Sequence, residues 1–113
     1  MNVLFVCTQA IARSPVAAIL FRQLAGADTP HQARVAGTAP WALTRLTTRD
    51  LAWADLVAVM EEGHRLDIRA LWPDHAHKVV VLGVPDDFEP SDPELRKVLE
   101  PKIRLILEEV LRP

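Results

Sequence analysis

Apolar residues along the chain fall into a few dense runs, separated by polar stretches that carry glycine and proline. Residues 2–6, Asn-Val-Leu-Phe-Val, form a short β-branched run that suits a strand buried on both faces. Residues 14–25 switch to a helical period, with Val16, Leu20 and Leu24 on one stripe. Pro15 sits in that helix's first turn, where its missing N–H costs nothing, and Gly26 stops it. Gln32–Ala36 is a weaker strand, followed by a turn at Gly37-Thr38-Ala39-Pro40. Thr47 or Thr48 can cap a short helix whose first turn holds Asp50. Leu-Val-Ala-Val-Met, within residues 55–60, predicts another buried strand, and Glu62–Leu71 a helix that ends before Pro73. Lys78–Leu82 reads as the clearest strand of all. The final stretch is helical, with Ser91 or Asp92 as cap, Pro93 at the first position and Glu94 in the first turn. Leu95, Val98, Leu99, Ile103, Ile106 and Val110 keep one phase through Pro101, which predicts one kinked helix or two nearly collinear ones.

Four strands of buried type alternating with helices predict an α/β fold. A single domain over residues 1–113 is expected, with a four-stranded parallel sheet, right-handed crossovers and helices on both faces. Composition agrees: 113 residues, half of them apolar and a quarter charged, suffice for one core and exclude a disordered chain. The net charge of −2, without blocks of like charge, argues against a nucleic-acid partner. No apolar run reaches the roughly 18 residues that would span a bilayer, so no membrane partner is expected. Met1-Asn2-Val3-Leu4-Phe5 lacks the basic flank and cleavage site of a signal peptide. One cysteine allows neither an internal disulfide nor a cysteine-based zinc site. The expected setting is cytoplasmic.

In parallel sheets of this kind ligands bind beyond the carboxyl ends of the strands, so the loop after the first strand is the first place to look. It runs Cys7-Thr8-Gln9-Ala10-Ile11-Ala12-Arg13-Ser14, straight into the helix. A loop closing onto a helix N-terminus can aim several backbone N–H groups at one point and cradle an anion. An arginine at its end adds a planar fork matched to two phosphate oxygens. Thiols beside a helix start and an arginine are the ones that react as thiolates. The alternative for Cys7 is a small buried hydrophobe ending an apolar strand. Arg13 counts against that, because an arginine at a helix start opposes the dipole and is odd as mere solvated surface. An oxyanion is expected over Cys7, contacted by the amides of residues 8–13 and by the Arg13 guanidinium.

Val3-Leu4-Phe5-Val6-Cys7, followed by Arg13-Ser14-Pro15 and Ala17, resembles the opening of the low-molecular-weight protein tyrosine phosphatases. Ala36-Gly37-Thr38 is similar to the end of that family's second strand, Val59-Met60-Glu61 to the end of its third, and Val84-Pro85-Asp86-Asp87-Phe88 to its acid loop. The order holds over most of the chain, with a stretch missing after Thr38, and the small bacterial members are the most similar. The resemblance implies a phosphomonoesterase for phosphorylated proteins or small aryl phosphates, needing no metal or other cofactor. Cys7 would be the nucleophile and Arg13 the oxyanion clamp. Thr8, Gln9, Ala10, Ile11, Ala12 and Ser14 would line or support the phosphate loop. Asp86 would be the general acid, aligned one residue after Pro85 and two before Phe88, which could stack on a substrate ring or simply pack. Asp87 stands in the family's proline position and is the second candidate. Asp92 precedes a proline, but helix capping accounts for it.

The chain departs from the family where the loop is supported. The usual asparagine three residues after the cysteine is Ala10, the serine before Gly-Thr is Ala36, and the histidine of the same network falls in or near the missing stretch, close to Trp41. An alanine in the left-handed conformation this loop needs would cost on the order of 1 kcal/mol. The alternative reading is therefore a weakened module that binds phosphate or phosphoproteins without turnover. Ala12 replaces the family's second loop cysteine, and a single cysteine closes the arsenate-reductase route. His75-Ala76-His77 has no third ligand spaced with it for a metal, and Glu61-Glu62 reads as a helix start.

Overall fold

A computed structural model describes residues 1–110; residues 111–113, the end of the expected final helix, lie outside the described residues, as does the Val110 side chain. Strand β1 (Asn2–Cys7) leads to helix α1 (Arg13–Ala25), β2 (Gln32–Gly37), α2 (Thr48–Trp53) and β3 (Leu56–Val59). Helix α3 (Glu62–Leu71), a 3-10 turn over Pro73–Lys78, β4 (Val79–Val81) and α4 (Pro93–Leu105) complete the described elements, with a wider helical turn over Ile106–Val110. The four strands form one sheet in the order β2-β1-β3-β4, every neighbouring pair parallel.

The alternation along β1 divides the core into two layers. Val3, Phe5 and Cys7 pack with Ala17, Ala18, Leu20 and Phe21 of α1 and Leu95, Leu99 and Ile103 of α4. Leu4 and Val6 point the other way, onto Leu51 of α2 and Ile68 of α3. All five apolar residues Val3–Cys7 are buried, as a central strand covered on both faces requires. Helix α2 is held by a reciprocal cap, in which the Asp50 amide donates to Thr47 Oγ1 and the Thr47 amide to an Asp50 carboxylate oxygen. Helix α4 starts on Asp92, whose Oδ1 accepts from the Glu94 amide at 2.9 Å.

One expectation shifts. Lys78–Leu82, the clearest strand by pattern, yields only the three residues of β4, half-exposed at the sheet edge with a partner on one side. A β-branched run reports local strand preference and cannot distinguish an edge from a centre. Helix α4 passes through Pro101 as one helix, one of the two forms expected, with the proline exposed and Leu95, Leu99 and Ile103 buried. The chain leaves β1 toward β2 on one side and later returns to β3 on the other. That reversal opens a crevice at the carboxyl end of β1.

Candidate active site

Residues 7–13 fill the crevice, and their peptide orientation is fixed from behind. The carbonyls of Cys7, Thr8 and Gln9 accept hydrogen bonds from the amides of Thr38, Ala39 and Leu43 at 3.0, 2.9 and 3.0 Å. In a trans peptide the C=O and the following N–H point opposite ways. Holding those carbonyls outward therefore turns the N–H groups of Thr8, Gln9 and Ala10 inward, and the Ala10 amide donates to Cys7 Sγ at 3.3 Å. Ser14 Oγ lies 3.1 Å from the same sulfur. The braces depend on Gly37, whose added Cβ would stand 2.6 Å from both the Thr8 carbonyl oxygen and the Ala42 methyl.

Ala10 sits at φ +59°, the left-handed conformation that the departure from asparagine makes costly. A glycine at this position is expected to fit without that penalty. Ala10→Gly should raise stability by about 1 kcal/mol, or about 4 °C in melting temperature, in a thermal scan. An unchanged or lowered Tm would show that the loop carries no strain at this residue.

Arg13 is the largest fully buried side chain among the described residues, at 2% exposure, despite its charge. Four groups take it up. Its Nη1 donates to the Val84 carbonyl at 2.8 Å and to Glu61 Oε1, and its Nη2 to Thr8 Oγ1 at 3.3 Å. Its Nε lies 3.7 Å from Asp86 Oδ1. A buried guanidinium with this many partners is held in one orientation, so its remaining donor capacity has a fixed direction.

Behind Thr8 stands His64, 5% exposed, in the first turn of α3. Its Nε2 lies 2.9 Å from Thr8 Oγ1, and its Nδ1 accepts from the Glu61 amide at 3.1 Å. Burial, reinforced by the Arg13 charge, holds His64 below its ordinary titration range, against the opposing pull of Glu61, Asp67 and Asp86. The neutral ring is the resting form.

The pocket over Cys7 encloses about 160 Å³ and is lined by Cys7, Thr8, Gln9, Ile11, Ala12 and Arg13 from the loop, with Asp86, Phe88, Glu89 and Pro90 closing the far side. Cys7, Arg13 and Asp86 are thus brought together, as are Thr8, Gln9, Ile11, Ala12 and Phe88. Ala10 and Ser14 lie behind the wall, buried at the thiol, where they act as supports rather than lining. Asp87 is exposed and outside the lining, and Asp92 is occupied as a cap. Trp41 is 73% exposed and lies outside the pocket lining. Sequence reasoning missed Glu61 and His64. Their signal was present as a Glu-x-x-His pair at a helix start, but a cap alone explains that spacing.

No protein-family model matches the chain, and neither does a curated protein. Solved structures do. The low-molecular-weight protein tyrosine phosphatase of T. tengcongensis superposes with a TM-score of 0.79 at 25% identity, over 96% of this chain and 99% of that one. The tyrosine phosphatase Wzb from Escherichia coli K30, in complex with phosphate, gives 0.79 at 24% identity over 96% and 97%. The arginine phosphatase YwlE from Geobacillus stearothermophilus gives 0.71 at 21% identity over 97% and 95%. Sheet, helices and the placement of the pocket over β1 together give this chain the fold of the low-molecular-weight protein tyrosine phosphatases.

Proposed function

We propose that this chain is a cysteine-dependent phosphomonoesterase acting on phosphotyrosine in proteins or on small aryl phosphates. The observation that carries the reading is the convergence of Cys7 Sγ, the clamped Arg13 and the Asp86 carboxyl on one small pocket whose floor is formed by inward-turned amides. In the proposed reaction the Cys7 thiolate attacks phosphorus in line with the ester oxygen, and the P–O bond breaks as the S–P bond forms. Arg13 and the loop amides hold the three equatorial oxygens where charge accumulates. Asp86 gives its proton to the departing aryl oxygen. Water, deprotonated by the same Asp86, then attacks the phosphocysteine, releasing inorganic phosphate and restoring the thiolate. The residues named suffice without a metal or other cofactor.

Ile11 and Phe88 give the pocket mouth two apolar walls that suit an aromatic ring. Both tyrosine and arginine phosphatases stand among the structural neighbours, and these walls favour the aryl ester over a phosphoguanidine. A cysteine that must stay reduced to act suits a reducing compartment, and the cytoplasm is the proposed setting; among the described residues no helix is long and apolar enough to cross a membrane. The strained Ala10 favours one competing reading, an anion-binding module without turnover. Hydrolysis of a phosphotyrosine peptide and a phosphoarginine peptide, with vanadate binding measured alongside, decides among them. Preferential turnover of phosphotyrosine supports the proposal. Vanadate binding with no turnover of either peptide overturns it in favour of the module.

A further inference from the structure

The Thr8 hydroxyl meets two groups, and both are donors. Arg13 Nη2 can only donate, and it reaches Thr8 Oγ1 at 3.3 Å. His64 reaches it through Nε2 at 2.9 Å, and the state of that nitrogen is set on the far side of the ring. There Nδ1 takes the Glu61 amide at 3.1 Å, so it carries no hydrogen, and in the neutral ring the proton must sit on Nε2. Both lone pairs of Oγ1 are thereby occupied. The hydroxyl has one hydrogen left to give, and Thr8 lines the pocket above Cys7.

We propose that His64 is a positioning residue for this pocket: its Nε2–H fills one lone pair of the Thr8 hydroxyl while Arg13 fills the other, committing the Thr8 proton to an oxyanion bound over Cys7. The arrangement also pins one arm of the Arg13 guanidinium. It supplies from α3 a side-chain anchor for the loop, in a chain whose Ala10 and Ala36 side chains offer no hydrogen-bonding group. The proposal rests on the phosphatase reading for any effect on turnover, but its anion-binding half stands separately.

Two substitutions split the two bonds of the ring. His64→Asn keeps an acceptor near the Nδ1 position for the Glu61 amide and loses the donor to Thr8. His64→Gln places an amide N–H near the Nε2 position and keeps that donor. The probe is inorganic vanadate, titrated by calorimetry, with 4-nitrophenyl phosphate turnover measured in parallel. His64→Asn and Thr8→Val should each weaken vanadate binding about tenfold, the loss expected when one hydrogen bond to a charged ligand is removed or misdirected. The double variant should be no weaker than Thr8→Val alone, because both changes act through one hydroxyl. His64→Gln should stay within about threefold of wild type.

Additive losses in the double variant, or wild-type affinity in His64→Asn, would overturn the proposal. If His64→Asn fails to fold, the comparison of His64→Gln with Thr8→Val decides in its place: affinity as weak in the first as in the second, or no loss in the second, overturns it. Wild-type protein that binds vanadate without hydrolysing 4-nitrophenyl phosphate would sink the phosphatase reading alone. The vanadate comparison would still decide the role of His64.

Discussion

Cys7→Ser should lower turnover of any aryl phosphate by on the order of 10⁴-fold or more while leaving phosphate affinity within a few-fold of wild type. The asymmetry follows from how the pocket is built. Its anion contacts come from backbone amides turned inward by Thr38, Ala39 and Leu43, and from an arginine fixed by Glu61, Val84 and Thr8. The sulfur contributes none of these, so an isosteric hydroxyl leaves the seat intact. A serine hydroxyl, however, is a far weaker nucleophile near neutral pH, and no base stands ready for it among its neighbours: Ser14 Oγ and the Ala10 amide are its nearest polar partners. Steady-state rates and calorimetric titration on the same preparation give both numbers. A Cys7→Ser rate within tenfold of wild type would show that another group does the chemistry. Loss of anion binding together with rate would show that the substitution had collapsed the loop.

The fold was legible because it depends on short-range pattern. A central strand of five buried residues, a proline at a helix start and a reciprocal Thr47–Asp50 cap each leave a local mark. The edge position of β4 leaves none, since it depends on what pairs with Val79–Val81 across the sheet. The site divides in the same way. Cys7 and Arg13 are marked by their spacing around one loop, and Asp86 by the resemblance of its loop to the phosphatases' acid loop. The supports were hidden because they are backbone contacts or distant side chains. Nothing in the residue types Thr38, Ala39 and Leu43 says that their amides hold the Cys7, Thr8 and Gln9 carbonyls. Glu61 and His64 lie about fifty residues from the loop they brace, and their local role as a helix start already explained them. Ala10 and Ala36 were visible in sequence as departures from the resembling family's polar residues, but the contacts of Thr8 with His64 and Arg13 were not.

The acid is tested by three substitutions read on two substrates. Asp86 lines the pocket with its carboxyl 3.7 Å from Arg13, and its side chain is 69% exposed, open to exchange a proton with solvent and with a leaving group. Asp86→Asn removes a transferable proton and keeps the shape. Phosphotyrosine hydrolysis should therefore fall about 10²–10⁴-fold, the usual span of general acid catalysis. A 2,4-dinitrophenyl ester leaves as a stable anion and gains little from protonation, so its first step should be slowed much less. Asp92→Asn should leave both rates near wild type, because asparagine accepts from the Glu94 amide about as well as aspartate does. Asp87→Asn should also have little effect, since the side chain lies outside the lining. The dependence on leaving group, rather than the size of any single loss, identifies the proton donor. If Asp87→Asn shows it and Asp86→Asn does not, the acid is one residue further along and the loop must turn when substrate binds. If Asp86→Asn slows phenol release from both esters equally in the first step, before phosphocysteine hydrolysis, Asp86 acts there by holding Arg13 and the proton comes from water.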